Sequence, residues 1–136
     1  MHLLLVDDDE STRYIVRRVL ARYDGTHVRE AASGEEAIRL LREQPFDVIL
    51  SDYNMGAASG VDVLCLAKDL QPHAQRLLMS GTLRESVLRN ESLRACVHLF
   101  FEKPMQAEEW ARVLDAALAP VAPEARHHRP REPHET

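Results

Sequence analysis

The chain has 136 residues, of which 45% are hydrophobic and 29% are charged, and its formal net charge is −5. This length is typical of one domain that buries a sizeable core without staples or metal. The negative charge argues against nucleic-acid binding through a basic surface. No apolar run approaches the roughly 20 residues of a membrane helix. The short apolar N-terminus lacks the basic flank of a signal peptide, so we expect a cytoplasmic protein without membrane insertion.

Five short apolar runs alternate with amphipathic segments along the chain. Each run holds four or five residues without clean two-residue alternation, which is typical of strands buried on both faces of a parallel sheet. The runs are residues 3–6, 27–31, 48–51, 76–79 and 97–101. Apolar stripes at helical spacing follow them, at residues 15–20, 37–41, 61–67, 83–88 and 110–118. The alternating order predicts a doubly wound α/β fold with right-handed crossovers.

Three local features complete this interpretation. Ser33 and Glu36 have the spacing of a capping box before the second helix, and Trp110 is expected in the core. Residues 120–136 hold four of the seven prolines and almost no apolar residues, so they predict a disordered tail or linker after a domain of residues 1–119. The two cysteines, Cys65 and Cys96, are too few for a disulfide framework. We interpret them as small buried side chains in a reducing compartment.

Polar residues follow four of the predicted strands. Asp7 and Asp8 follow the first, Asp52 the third, Ser80 the fourth and Lys103 the fifth. The carboxyl ends of parallel strands meet at one edge of a doubly wound sheet. Two carboxylates about 4 Å apart repel by roughly 4 kcal/mol at an effective dielectric near 20. Oxygen donors without Cys or His favour Mg²⁺ over zinc or copper.

A metal ion, an ammonium and a hydroxyl together are suited to bind a tetrahedral dianion. A carboxylate among them could act as a nucleophile and form an aspartyl phosphate. The simpler alternative is that a polar side chain after the first strand caps the following helix, either an acid (Asp9 or Glu10) or the hydroxyl of Ser11.

Taken together, these residues resemble those of response-regulator receiver domains over roughly residues 2–118. The likeness is carried by the segment 3–8 (LLLVDD), the segment 48–55 (VILSDYNM), Gly60, the segment 78–81 (LMSG) and the dipeptide Lys103-Pro104. The resemblance implies a flavodoxin-like (βα)5 fold with strand order 2-1-3-4-5. It also implies a protein that consists of a single receiver domain, as chemotaxis-type response regulators do.

The resemblance implies that Asp52 is the phosphoacceptor, with Lys103 and Ser80 as catalytic contacts of the phosphoryl group. The implied Mg²⁺ ligands are oxygen donors: Asp7, Asp8, Asp52 and the backbone carbonyl of Asn54. Ser80 and Phe100 match the switch residues of the family, although Phe100 has no hydroxyl. Asn54 and Thr82 occupy positions that tune dephosphorylation. The bond before Pro104 is often cis in the family, which proline permits at about 0.5–1 kcal/mol.

The implied function is a phosphorylation-dependent signalling switch, not a turnover enzyme. A sensor histidine kinase or phosphotransfer protein donates a phosphoryl group to Asp52, and the partner-binding surface changes. Gly56 in place of a proline predicts a more flexible loop, and Leu93-Arg94-Ala95-Cys96 in place of a Gly-Ala signature prevents any inference about the output partner. A stand-alone receiver that does not contact DNA directly is favoured over a receiver whose tail is a linker to a further domain. Dimerisation on activation is left open.

Two alternatives remain open. The first is a pseudo-receiver, the same fold acting as an interaction module without phosphorylation, which Gly56 and the altered fourth-helix region motivate. The second is a phosphatase, because Asp7 and Asp9 form an Asp-x-Asp motif similar to that of haloacid-dehalogenase-type enzymes, in which Asp7 would be the nucleophile. The acids after Lys103 lie within a helical pattern, and the chain lacks room for a cap, so this alternative has less support.

Overall fold

A computed structural model describes residues 1–55, 59–81, 89, 91–104 and 106–119, in which five strands alternate with five helices. The strands β1 to β5 are His2–Val6, His27–Ala31, Val48–Asp52, Gln75–Ser80 and Leu99–Glu102. The helices α1 to α5 are Glu10–Leu20, Gly34–Glu43, Gly60–Leu70, Glu91–Cys96 and Ala107–Leu118. In these ranges no helix combines the length and apolar character needed to cross a bilayer. Gly56, Thr82, the predicted helical stripe at 83–88 and the tail at 120–136 lie outside the described residues.

The five strands form one parallel sheet in the order β2-β1-β3-β4-β5, which confirms the doubly wound fold and the strand order that the resemblance implied. One row of residues runs through four strands in register, in the order Leu5, Leu50, Leu77 and Leu99. Because all strands point the same way, the segments that follow them emerge at a single edge of the sheet.

Successive residues of the central strands face opposite layers. Leu3 and Leu5 pack toward α1 and α5, whereas Leu4 and Val6 pack toward α2 and α3. Trp110 of α5 is 2% exposed in the first of these layers, as predicted. Buried strands with apolar residues on both faces explain why the sequence shows continuous apolar runs in place of alternation.

The two outer strands differ from the prediction that all five are buried on both faces. Along β2 and β5 exposed and partly buried positions predominate, and Leu99 is 39% exposed. The prediction fails there because an outer strand has a neighbouring strand on one side only. It holds for β3, in which every residue is buried.

Short polar side chains begin the helices. Asp9 caps α1, as one of the sequence alternatives proposed, by accepting from the backbone two residues ahead. Ser33 accepts from the Glu36 N–H, but the Glu36 carboxylate accepts from the N–H before Ser33, so the predicted capping box is shifted by one residue. A reciprocal capping box joins Ser59 and Asp62 at the start of α3, and the sequence analysis did not identify it.

Cys65 and Cys96 form a disulfide, so the prediction of separate thiols is wrong. Cys65 lies within α3 and Cys96 is the last residue of α4. They are 31 residues apart in the sequence, yet their Cα atoms are 4.9 Å apart. The number of cysteines could not reveal this pairing, because it depends on which faces of α3 and α4 meet.

Candidate functional site

The carboxyl edge of the sheet brings the predicted polar residues together. Asp7 directly follows β1, Asp52 and Ser80 are the last residues of β3 and β4, and Lys103 directly follows β5. The backbone N–H of Lys103 donates to the carbonyl of Ser80 at 2.7 Å, which extends the β4–β5 pairing by one residue. The parallel register therefore places charged side chains from distant parts of the chain side by side.

One ammonium group faces several carboxylates at this edge. Lys103 Nζ lies 2.9 Å from Asp7 Oδ2 and 3.2 Å from Asp52 Oδ1. Asp7 is fully buried and Asp52 is 5% exposed, whereas Asp8 is exposed. Ligand atoms of the three aspartates all lie within 4.8 Å of one another. Negative charge thus exceeds positive charge in this cluster, and part of it is removed from water.

The pKa values of the cluster reflect this crowding. Burial, followed by the charge of Asp7, raises the pKa of Asp52 to about 6 despite the attraction of Lys103. Burial also raises the pKa of Asp7. Burial acts to lower the pKa of Lys103, but its hydrogen bonds and charge contacts with the two aspartates outweigh that effect and raise it. A further cation in the cluster would relieve the repulsion between the carboxylates.

The donor set fits a hard divalent cation. Asp7, Asp8 and Asp52 offer carboxylate oxygens, and among the described residues no Cys or His joins them. Asp8 is exposed to solvent, so coordination positions would remain open to water and to a ligand. Mg²⁺ and Ca²⁺ prefer such oxygen ligands, and Mg²⁺ retains several waters.

Gly60 fixes the backbone beside Asp52. Its N–H donates to the carbonyl of Tyr53 at 3.0 Å. A Cβ at this position would lie 2.0 Å from the carbonyl oxygen of Asp52 and 2.9 Å from Leu78 Cδ1. Only glycine permits this approach of α3 to β3. The sequence contained this residue as part of the family resemblance, but the steric reason for it appears only in the structure.

Arg13 is a residue of the site that the sequence analysis missed. One guanidinium nitrogen donates to the backbone carbonyl of Asp7 at 2.6 Å, and Nε pairs with Glu30 at 3.1 Å. This bridge holds the end of β1 against β2. In the sequence Arg13 looks like an ordinary polar residue of an amphipathic helix, so no signal distinguished it.

The remaining predicted residues occupy different environments. Ser80 is 1% exposed, Asn54 is exposed two residues beyond Asp52, and Phe100 is half-buried on β5 against the core layer of α2 and α3. No cis peptide bond occurs among the described residues, so the bond before Pro104 is trans. The expected cis form is therefore not found, and trans is the default for such bonds by about 0.5–1 kcal/mol.

The fold and the cluster agree with a known family. Residues 3–115 match the family model of the response regulator receiver domain. The chain therefore belongs to this family, whose members are the phosphoacceptor signalling domains of two-component systems. Phosphorylated aspartate and Mg²⁺ are general features of receiver domains.

Similar proteins include single-domain and longer regulators. The chain is 30% identical to chemotaxis protein CheY-3 of Vibrio cholerae over 118 residues, covering 85% of this chain and 89% of that protein. It is 29% identical to the transcriptional regulatory protein GlrR of Escherichia coli over 124 residues, covering 90% of this chain. The chain spans 27% of the length of GlrR, about a quarter.

A solved structure shows the same architecture. It is a response regulator protein from Burkholderia pseudomallei, described with a phosphorylated aspartic acid, a calcium ion and citrate. The TM-score is 0.72 at 27% sequence identity, and the alignment covers 94% of this chain and 75% of that chain.

Proposed function

We propose that Asp52 accepts a phosphoryl group from a phosphohistidine of a sensor histidine kinase or phosphotransfer protein, with Mg²⁺, and that this changes the partner-binding surface of the domain. The observation that carries the proposal is the contact of Lys103 Nζ with both Asp7 and Asp52 at the edge of the sheet, 2.9 and 3.2 Å away. An ammonium at that place is suited to neutralise an incoming phosphoryl group. The proposal assigns residues 1–119 to a cytoplasmic receiver domain and residues 120–136 to a tail.

The contacts of the two buried aspartates favour Asp52 as the nucleophile. Asp7 Oδ1 accepts from the N–H of Asp9 at 2.9 Å, whereas the buried Oδ2 forms an ion pair with Lys103 Nζ at 2.9 Å that falls outside hydrogen-bond geometry. Asp52 forms an ion pair with Lys103 through Oδ1, and among the described residues its carboxylate accepts no backbone hydrogen bond, so it is less restrained for attack than that of Asp7. This difference argues against the phosphatase alternative, in which Asp7 would be the nucleophile.

The transfer itself is a displacement at phosphorus. A carboxylate oxygen of Asp52 forms the new O–P bond, the P–N bond of the donor breaks, and its electron pair returns to the imidazole nitrogen. Lys103 faces the negative charge that accumulates on the phosphoryl oxygens. Asp7, Asp8, Asp52 and the backbone carbonyl of Asn54 would hold Mg²⁺. When bound, Mg²⁺ supplies further neutralisation of that charge.

The response to phosphorylation would pass through the neighbouring strand ends. Ser80 is buried at the end of β4, and its hydroxyl would donate a hydrogen bond to a phosphoryl oxygen. Phe100 is half-buried on the adjacent β5, so it would repack as Ser80 moves and alter the surface of α4, β5 and α5. In this proposal Asn54 and Thr82 tune the dephosphorylation rate.

The decisive experiment measures intact mass after incubation with acetyl phosphate and Mg²⁺. We expect one added phosphoryl group on the wild type and none on Asp52→Asn. Asp69→Asn is a matched control, because Asp69 is an exposed aspartate of α3, and it should be phosphorylated like the wild type.

Three results would contradict the proposal. Phosphorylation retained in Asp52→Asn would identify another nucleophile. Repeated release of phosphate that is lost in Asp7→Asn but kept in Asp52→Asn would support the phosphatase. Absence of phosphorylation, together with no binding of beryllofluoride, would support the pseudo-receiver.

A further inference from the structure

The disulfide joins two elements that border the proposed phosphorylation site. Cys65 lies in the middle of α3, whose first residue, Gly60, touches the backbone of Asp52. Cys96 ends α4, and only Val97 and His98 separate it from β5. The Cα separation of 4.9 Å lies within the usual range for disulfides. The cross-link therefore ties the helix beside the phosphoacceptor strand to the segment leading to Lys103.

Two cations donate hydrogen bonds to the backbone at the Cys96 end of the cross-link. Lys68, one turn beyond Cys65 on α3, donates from Nζ to the carbonyl of Ala95 at 3.0 Å. Arg76 Nε donates to the carbonyl of Cys96 at 2.7 Å. Both side chains place positive charge beside the backbone of Cys96, and positive charge near a sulfur stabilises a thiolate.

The two cysteines differ in exposure. Cys65 is partly exposed, whereas Cys96 is 7% exposed. An incoming thiolate therefore has easier access to Cys65, and Cys96 becomes the leaving group. Thiol–disulfide exchange is faster when the leaving thiolate is better stabilised, and the positive charge beside Cys96 acts in that direction.

From these observations we propose that Cys65 and Cys96 are a reversible redox site that exchanges with a small thiol such as glutathione. A glutathione thiolate attacks the sulfur of Cys65, the Cys65–Cys96 bond breaks, and Cys96 leaves with the electron pair. A second glutathione thiolate then attacks the glutathione sulfur of the mixed disulfide and releases Cys65, with glutathione disulfide as the product. The two protons taken up come from the two glutathione thiols, and the reverse sequence reoxidises the pair.

Reduction would loosen α4 without unfolding the sheet. The described contacts that hold this helix include the buried side chain of Leu93 and the bonds from Lys68 and Arg76. The disulfide adds a covalent restraint to a helix of only six residues. The redox state would thus control the mobility of a helix next to β5. This proposal does not depend on phosphorylation of Asp52.

The redox test equilibrates the protein in glutathione buffers from strongly reducing to strongly oxidising, followed by acid quenching, alkylation with N-ethylmaleimide and intact mass measurement. We expect two alkyl groups in reducing buffer, none in oxidising buffer, and a midpoint between them. Thiols that stay reduced throughout, or a disulfide that resists the most reducing buffer, would overturn the proposal. Cys65→Ser should take one alkyl group or one glutathione and show no internal disulfide.

Two further measurements test the role of the surroundings. Lys68→Gln should slow reduction by glutathione by about threefold, because it removes positive charge beside the leaving Cys96, whereas Arg42→Gln on the exposed face of α2 should leave the rate unchanged. Hydrogen exchange at Val97, whose N–H donates to Leu93, should be several-fold faster in the reduced protein. Equal exchange in both forms would show that the cross-link does not restrain α4.

Discussion

The two ends of the sheet bury charge in different ways. At the carboxyl end, Asp7 and Asp52 share the single ammonium of Lys103. Toward the amino end, Arg76 near the start of β4 is 5% exposed, and its guanidinium donates to the backbone carbonyls of Pro72, Ala74 and Cys96 at 2.7 to 3.2 Å. In the described ranges no carboxylate pairs with it.

The contrast separates a structural charge from charges suited to function. Burial lowers the pKa of Arg76, but a guanidinium stays protonated and its hydrogen bonds compensate for lost water. At the other end, burial and like charge raise the pKa of Asp52 to about 6, so ionisation opposes folding. A buried charge with enough hydrogen bonds is compatible with a stable fold. Crowded like charges repel one another, and binding of a cation or phosphorylation can relieve that repulsion.

The largest expected effect comes from removing the charge at the amino end. Arg76→Met should lower the free energy of unfolding by about 3–5 kcal/mol, because several buried carbonyls lose their donor. Urea unfolding at pH 7.5 measures this change. Arg39→Met, at an exposed arginine of α2, is the matched control and should cost less than about 1 kcal/mol. A similar small loss in Arg76→Met would show that these bonds are dispensable.

At the carboxyl end, the corresponding substitution should have the opposite sign. Asp52→Asn should raise the free energy of unfolding by about 1–3 kcal/mol at pH 7.5, because it removes a carboxylate whose pKa is raised by burial. The stabilisation that comes from protonating Asp52 is fully present below pH 3.8 and is lost as the pH rises through about 6. The gain should therefore shrink in urea unfolding at pH 4.5. A destabilised variant at pH 7.5 would refute this interpretation.

A divalent cation should sharpen the difference between the two ends of the sheet, because it would bind only to the carboxylates at the carboxyl end and stabilise the folded domain from there. Mg²⁺ at ten times its dissociation constant adds about 1.4 kcal/mol, which corresponds to a rise in Tm of about 3–6 °C for a domain of this size. Differential scanning fluorimetry with Mg²⁺ or a chelator measures the shift. Asp8→Asn should reduce it, and the exposed control Asp69→Asn should not. An unchanged Tm in the wild type would argue against a metal site here.

The smallest effect concerns His98, beside Arg76. His98 Nδ1 accepts from the backbone N–H of Arg76 at 2.9 Å. Burial and the charge of Arg76 lower the pKa of His98 below 6.5, so its contribution to stability is present above pH 6.5 and is lost as pH falls through the lowered value. His98→Gln should flatten this part of the pH dependence between pH 7 and 5, measured by urea midpoints. The effect is small because His98 as a whole residue remains exposed to solvent, and only part of its side chain is buried against Arg76.

Much of the fold was predictable because its signals are local. Continuous apolar runs marked the central strands, and apolar stripes marked four of the described helices. Asp7, Asp52, Ser80 and Lys103 were predicted to share one edge because each follows or ends a strand of a parallel sheet. The strand order came from the family resemblance. Most errors concern neighbours: burial of the outer strands, the offset of Glu36 and the pairing of the cysteines. In addition, the bond before Pro104 is trans, where the family resemblance implied cis.

The sequence by itself determined the alternation of strands and helices, the positions of the polar strand ends and the family. These follow from side-chain periodicity and motifs, which depend on residues close together in the chain. Only the tertiary structure decided that Lys103 contacts two aspartates, that Gly60 has no room for a Cβ beside Asp52, and that Cys65 meets Cys96. Such contacts depend on how strands and helices pack at distances of a few ångströms, and no pattern along one segment encodes that packing.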